Sequence, residues 1–374
     1  MNQNLYPVFL VIMMTLLAFV FAGHYFIYYS LIKFFEIASI KTKTILGLAL
    51  LFLPFSFFLF SFLTRLKENF LARVFYFLSS LWIGIALTLV TAFMVIWVLV
   101  LLSKTLGWQI NLMILGVSAI LFSFAYSAYG VYNAYSPVVK EISVKIKNLP
   151  PQWRGKKAIQ LSDVHLGHVL RSGFMQKVVD ETNAQKPDII FITGDLFDGM
   201  DGALEELVKP VNNISAPWGI YYVTGNHETY LGLDDVFTAL KTTKIKVLND
   251  EMANVDGLQI IGIAYPERGF SKDISSVIKN LKDFNSQKPS ILLWHDPTKI
   301  EQAKQAGVSL QLSGHTHKGQ IFPVQFASRL IYGKYYNGFY SEGDYSIYTT
   351  SGVGVWGPTM RTGNRPEIVV IKFE

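Results

Sequence analysis

The sequence predicts a chain of two parts, an all-α membrane domain followed by an α/β domain. Three observations predict it. Only nine charged side chains occur in the first 137 of 374 residues. Beyond residue 140, short apolar runs alternate with helical patterns, and run after run closes on Gly, Asp or His. Six of the seven histidines lie after residue 160.

The nine charges are Lys33, Glu36, Lys41, Lys43, Arg65, Lys67, Glu68, Arg73 and Lys104. The stretches between them are rich in Leu, Phe, Val and Ile. Each of four has at least the roughly 20 residues that cross a bilayer as a helix. Spans are therefore expected at about 5–32, 44–64, 74–103 and 109–137, within a transmembrane domain of residues 1–139. A soluble bundle would need a charged face at helical spacing, and none of these stretches has one. Pro54 should kink the second span without breaking it. Tyr25, Tyr28, Tyr29 and Trp108 suit the aromatic belt at the membrane–water interface. The first apolar run is too long for a cleavable signal peptide and lacks its basic start.

In the remainder, residues 140–374, the runs Ala158–Leu161, Asp188–Thr193, Ile220–Thr224, Ile291–Trp294 and Leu310–Leu312 read as buried strands of an α/β sheet. The half-exposed alternation of Ile142–Lys147 predicts a further strand, which Pro150-Pro151 ends. Ser172 is expected to cap a helix reaching about Asn183, and another helix is expected near Leu233–Lys241. Val247–Ala264 reads as two strands across a turn at Asp256-Gly257. A helix from Asp273 to Phe284 and a closing strand at Ile368–Phe373 complete the pattern.

Each of the five buried runs ends near a polar cluster: Asp163-Val-His165, Gly194-Asp195, Gly225-Asn226-His227-Glu228, His295-Asp296 and Gly314-His315-Thr316-His317. An open α/β sheet builds its sites in the crevice beyond the carboxyl ends of its strands. Four imidazoles, two carboxylates and a carboxamide exceed what one four-coordinate ion can use. They suit two adjacent ions sharing a carboxylate, and mixed nitrogen and oxygen donors favour Mn, Fe or Zn. Two such ions carry four positive charges, against two from Asp163 and Asp195. The surplus attracts an anion, a phosphate ester foremost, and makes hydroxide available near neutral pH. The chain has no cysteine, which excludes thiol chemistry and disulfides.

In this order the clusters resemble the calcineurin-like metallophosphoesterase superfamily over roughly residues 140–374. The segments Gly314–Gln320 and Ser351–Pro358 resemble its membrane-associated, YkuE- or YaeI-like branch. The resemblance implies a four-layer sandwich of two mixed β-sheets flanked by helices. It implies that Asp163, His165, Asp195 and His317 hold one metal, that Asp195 bridges, and that Asn226, His295 and His315 complete the second. It places His227 by the leaving oxygen, with Glu228 as its orienting partner. His168, expected on the loop at the substrate rim, Trp356 and Arg361 are candidate substrate contacts. Arg361 lies in the glycine-rich loop Gly357–Pro366, where it is expected either as an exposed loop charge or as a clamp on a second phosphate or a sugar nucleotide.

Residues 1–137 carry seven basic side chains against two acidic, and the rest 26 against 25. The basic excess thus belongs to membrane loops, and no nucleic-acid partner is expected. Four spans put both ends on one side, with Arg65, Lys67, Arg73, Lys140, Lys145 and Lys147. Lys33, Lys41, Lys43 and Lys104 lie opposite. That count favours a cytoplasmic catalytic domain in the cell membrane, although some similar proteins are exported. The expected partners are the bilayer and a phosphate mono- or diester, with phospholipids and lipid-linked or UDP-linked diphosphates as candidates. The alternative is a transporter or scaffold with a regulatory phosphoesterase domain. The spans argue against it, because they lack buried carboxylates, Lys or Arg to mark an ion path, and His24 is a poor substitute. All candidate ligands lie beyond residue 160, so the spans are expected to localise the chemistry rather than perform it.

Overall fold

The computed structural model describes residues 5–199, 203–267 and 270–374. They form two compact units. One holds the residues up to Tyr132 together with Gly357–Thr362, and the other holds Asn133–Trp356 with Gly363–Glu374.

The first unit contains α1 (Leu5–Phe34), α2 (Ile40–Leu66), α3 (Phe70–Leu106) and α4 (Leu112–Ala134), all long and apolar enough to cross a membrane. Capping, not charge, sets their ends. Ser39 Oγ accepts the Thr42 amide at 3.3 Å, so α2 takes Lys41 and Lys43 into its first turn. Asn69 Oδ1 accepts the Ala72 amide at 2.9 Å, and Gly107 closes α3 in the left-handed region at φ 73°. Pro54 lies inside α2 without ending it. The helices expose Leu, Phe and Val and keep polar groups between them. Trp82 Nε1 donates to His24 Nε2 at 3.0 Å, and Trp97 Nε1 donates to Ser30 Oγ at 2.9 Å. Both bonds join α1 to α3, as side-chain hydrogen bonds do in lipid. The remaining nitrogen of His24 meets the Val20 carbonyl at 2.8 Å, so this histidine is structurally accounted for.

Gly357–Thr362 packs among these helices. The Arg361 amide donates to the Gly130 carbonyl at 2.8 Å, and Tyr126 Oη donates to the Thr362 carbonyl at 2.8 Å. A Cβ on Gly84 would sit 2.7 Å from Met360 Sδ, so a larger residue on α3 would require the Met360 side chain to move. Arg361, expected on an exposed loop, is fully buried.

The second unit runs β1 (Val138–Val144), β2 (Lys157–Leu161), α5 (Ser172–Ala184), β3 (Ile189–Thr193), α6 (Leu204–Val208), β4 (Ile220–Val223), α7 (Asn226–Leu231), α8 (Leu233–Leu240), β5 (Ile245–Val247), β6 (Glu251–Val255) and β7 (Leu258–Gly262). It continues through α9 (Ile274–Lys279), β8 (Ser290–Leu293), α10 (Ile300–Ala306), β9 (Leu310–Ser313), α11 (Val324–Tyr332), β10 (Gly338–Glu342), β11 (Tyr345–Thr349) and β12 (Glu367–Phe373). The strands make two six-stranded mixed sheets, ordered β1-β12-β2-β3-β4-β5 and β10-β11-β9-β8-β7-β6.

Alternating side chains explain the layering. Ala158, Phe191 and Val223 meet Ile260, Leu293 and Leu312 between the sheets. Ile159, Ile190 and Ile192 face the other way, onto Val178 and Val179 of α5 and Val236 of α8. Ile261 and Leu292 pack on Ile278 of α9 and Ala303 of α10. The expected four layers are present.

Local details differ from the sequence expectation. The first strand begins at Val138, because β1 pairs in parallel with β12 from that residue onward. The last strand lies inside its sheet, antiparallel to β2. Arg171 holds the cap position and Ser172 is the first helical residue of α5. Asp273 caps α9, which stops at Lys279. Polar side chains also cross the sandwich. Gln160 Nε2 donates to Thr193 Oγ1 and to the Ser313 carbonyl, both at 3.0 Å, tying the two sheets at their site-bearing ends.

Candidate metal centre

The carboxyl ends of β2, β3, β4, β8 and β9 bring the polar clusters together. Asp163, His165, Asp195, His315 and His317 all adopt positive φ, between 48° and 70°. Non-glycine residues are uncommon there, and such strain concentrates at functional sites. The neighbouring glycines allow close approach. A Cβ on Gly314 would lie 2.0 Å from Ser162 Oγ and 2.2 Å from Asp163 Oδ2. At Gly194, φ is 88° and a Cβ would lie 2.5 Å from His295 Nδ1. The Gly-Asp and Gly-His motifs are therefore packing requirements of the site.

Three groups of donors converge, each with ligand atoms within 4.8 Å of one another: Asp163, His165 and His317; His165, Asp195 and His227; and Asp195, His295 and His315. His165 Nε2 faces His317 Nε2 at 2.9 Å, and His315 Nδ1 faces His295 Nε2 at 3.2 Å. Asp195 Oδ2 lies 3.1 Å from His295 Nε2 and 3.9 Å from His165 Nε2, so its carboxylate reaches both flanking groups. Buried imidazole nitrogens facing each other need a proton or a cation between them. Asn226 Oδ1 is buried and has no hydrogen-bond partner among the described residues, as a metal-directed oxygen would be. The donor set fits two divalent ions that share Asp195.

The electrostatics of the donors follow from this crowding. Burial pushes the Asp163 carboxyl up. At Asp195 burial pushes the same way, but His295, His227 and His165 outweigh it and hold the carboxyl well below the usual range. Burial opposes the charge on His295, yet Asp195 and Asp163 raise its pKa to about 10. Burial and the neighbouring His295 charge push His315 down to about 4.

His227 sits edge-on to His165, with ring centroids 4.6 Å apart, and its Nδ1 meets the Asp198 carbonyl at 2.7 Å. The orienting partner is therefore Asp198 and not Glu228. Glu228 instead accepts three backbone amides: Asp195 at 3.0 Å and Gly225 at 2.7 Å on Oε2, and Phe197 at 3.0 Å on Oε1. It fastens the β3 and β4 loops together. Burial and Asp195 raise its pKa to about 7.

A family model for calcineurin-like phosphoesterases matches residues 156–319. A metallophosphoesterase of Campylobacter jejuni is 34% identical over 274 residues, 71% of this chain and 70% of that one. This chain belongs to the calcineurin-like metallophosphoesterases. It is accordingly a metal-dependent phosphoester hydrolase, and its four spans make it a membrane protein. A Danio rerio transmembrane protein with a metallophosphoesterase domain is 30% identical over 275 residues, 68% of this chain and 62% of the relative. The metallophosphoesterase YkuE of Bacillus subtilis is 30% identical over 245 residues, 63% of this chain and 84% of that one.

Around the donors of this phosphoesterase the structure distributes the other candidates unevenly. Trp356 is 57% exposed, with its ring 5.8 Å from that of His227. Gln320 holds its backbone from both sides, accepting the Trp356 amide at 3.0 Å and donating to its carbonyl at 2.9 Å. His168, a candidate for the substrate rim, is buried. Arg361 belongs to the helical unit and does not join the donor cluster. Sequence reasoning missed Asp198, Tyr230 and Tyr265. Tyr230 Oη accepts from Asn226 Nδ2 at 3.3 Å, which turns Oδ1 of the amide the other way. Tyr265 stacks on His315 at 6.3 Å. Only the i,i+4 spacing of Asn226 and Tyr230 on α7 could have signalled any of these.

Proposed function

We propose that the protein is a membrane-anchored phosphoesterase that binds two divalent ions, Mn, Fe or Zn, and hydrolyses a phosphate mono- or diester carried by a lipid. The sharing of Asp195 by two donor groups, with Asn226 Oδ1 left for an ion, is the observation that carries this reading. Asp163, His165 and His317 would hold one ion, Asn226, His295 and His315 the other, and Asp195 both. When bound, such a pair supplies Lewis acidity and a hydroxide nucleophile at neutral pH. His227, whose Nδ1–H is held by the Asp198 carbonyl, turns Nε2 to the leaving oxygen, to which the ring would give a proton from its doubly protonated, imidazolium form. Trp356, exposed beside His227, forms the wall against which the leaving group rests. Phospholipids, lipid-linked diphosphates and UDP-linked lipid precursors are the candidate substrates. The charge distribution of the loops supports a catalytic unit on the cytoplasmic face of the cell membrane.

The test is full-length protein purified in detergent, stripped with chelator and reloaded with each metal. Hydrolysis is then measured on bis-p-nitrophenyl phosphate, p-nitrophenyl phosphate and a lipid panel in mixed micelles. Metal-dependent turnover of an ester is expected. Turnover that survives complete removal of metal would overturn the reading.

A further inference from the structure

The helix α11 is built the wrong way round for water. Its polar Gln325 and Ser328 turn toward the protein, and Ser328 is its one buried residue. Gln325 backs onto Gly319, where a Cβ would come within 2.4 Å of it. The opposite side carries Val324, Phe326, Ala327, Leu330 and Ile331, related by i,i+4 and i,i+3 steps. Phe326 is 64% exposed, Leu330 87% and Ile331 72%. Phe322, also exposed, adds its ring 6.1 Å from Phe326. So dense an apolar patch marks an interaction surface.

We propose that this face of α11 lies in the membrane interface, in the manner of a monotopic amphipathic helix, and that lipid covers it. Two observations choose lipid over another protein. The chain already carries four helices able to cross a bilayer, so lipid is a surface to which every copy of the chain is tethered. From Lys318 to Ser341 the sequence contains no acidic residue, and with Lys334 paired to Glu342 just beyond, Lys318 and Arg329 are the charges that complement an anionic lipid surface. The helix is also fastened to the donor loop. Tyr332 stands edge-on to His315 at 5.8 Å, and Thr316 Oγ1 donates to the Tyr336 carbonyl at 2.6 Å beyond the helix end. A helix seated in lipid would thereby hold the His315–His317 loop beside the headgroups. The inference concerns a surface and does not depend on the catalytic reading.

The test uses the absence of cysteine from the natural chain. Single-cysteine variants Leu330→Cys, Ile331→Cys and, as a control on an exposed loop, Lys145→Cys are labelled in the full-length protein with an environment-sensitive fluorophore. They are then reconstituted into phosphatidylethanolamine–phosphatidylglycerol vesicles. Labels at 330 and 331 are expected to shift to the blue and to lose emission when nitroxide-bearing lipids are included, with neither change at 145. Solvent-like emission at 330 and 331 would overturn the proposal. So would a blue shift without nitroxide quenching, which would mean that protein, such as a second copy of the chain, covers the face. Hydrolysis of soluble bis-p-nitrophenyl phosphate by the labelled variants checks that they fold. A failure of hydrolysis in the unmodified protein would count against the proposed function alone.

Discussion

The histidine of the helical unit and those of the sandwich live by opposite rules. His24 has both ring nitrogens engaged, by Trp82 and by the Val20 carbonyl, and asks for nothing further. In the sandwich, His165 faces His317 and His295 faces His315, nitrogen to nitrogen, on a backbone forced into the left-handed region at three of the four. Most buried polar side chains of the helices have a partner, Ser123 Oγ being an exception, because lipid offers no alternative. Those of the sandwich are crowded because a cation is expected to resolve them. A complete set of internal partners thus marks structure, and converging donors mark function.

The sharpest way to break that contrast is at Gly314. Gly314→Ala would drive a Cβ into Ser162 and Asp163, costing about 3 kcal/mol or more of stability and the local metal-binding geometry. Metal analysis and thermal melting should show both losses. A variant that melts normally with full metal would mean that the glycines are not packing requirements. His227→Gln should come next, lowering turnover by roughly 100- to 10,000-fold with metal content intact. Loss of metal in that variant would move His227 among the ligands.

Truncation probes the other side of the comparison. A chain beginning at residue 138 retains Gly357–Thr362 but loses Gly130 and Tyr126, which bind its backbone. The expected cost is about 2 kcal/mol for the two lost bonds, read as fast hydrogen exchange and protease cleavage at Gly357–Thr362. Equal protection of that segment in the cut and the full chain would show that it does not need the helices. The smallest effect is expected from Gln320→Ala, which frees the backbone of Trp356. It should raise KM about fivefold with little change in kcat, the equivalent of one lost hydrogen bond. A fall in kcat at unchanged KM would place Trp356 in the chemistry and not in binding.

The candidate donors Asp163, His165, Asp195, Asn226, His295, His315 and His317 were legible because metal chemistry restricts residue type and strand ends restrict position. The strands were legible as short apolar runs, and the four layers followed from the family resemblance. Glu228 was visible as a residue but not as a role, since three backbone amides leave no trace in side-chain pattern. Asp198 acts on His227 through its carbonyl, which every residue possesses. The span ends were misplaced by a few residues because caps such as Ser39 and Asn69 set them, while charges were used to read them. The helix α11 was not anticipated from the sequence, and which of its faces turns inward is decided by tertiary packing. Arg361 read as exposed because its loop is rich in glycine and its burial depends on distant helices.

The central claim is that Asp195 serves two ions at once. Counting metal per chain in full-length protein and in Asp195→Asn, with turnover of bis-p-nitrophenyl phosphate measured alongside, tests it most directly. The unmodified protein should hold two ions, and Asp195→Asn should weaken both and lose more activity than His317→Ala or His295→Ala. A protein with a single ion, or an Asp195→Asn variant that keeps two ions and near-normal turnover, would contradict the account.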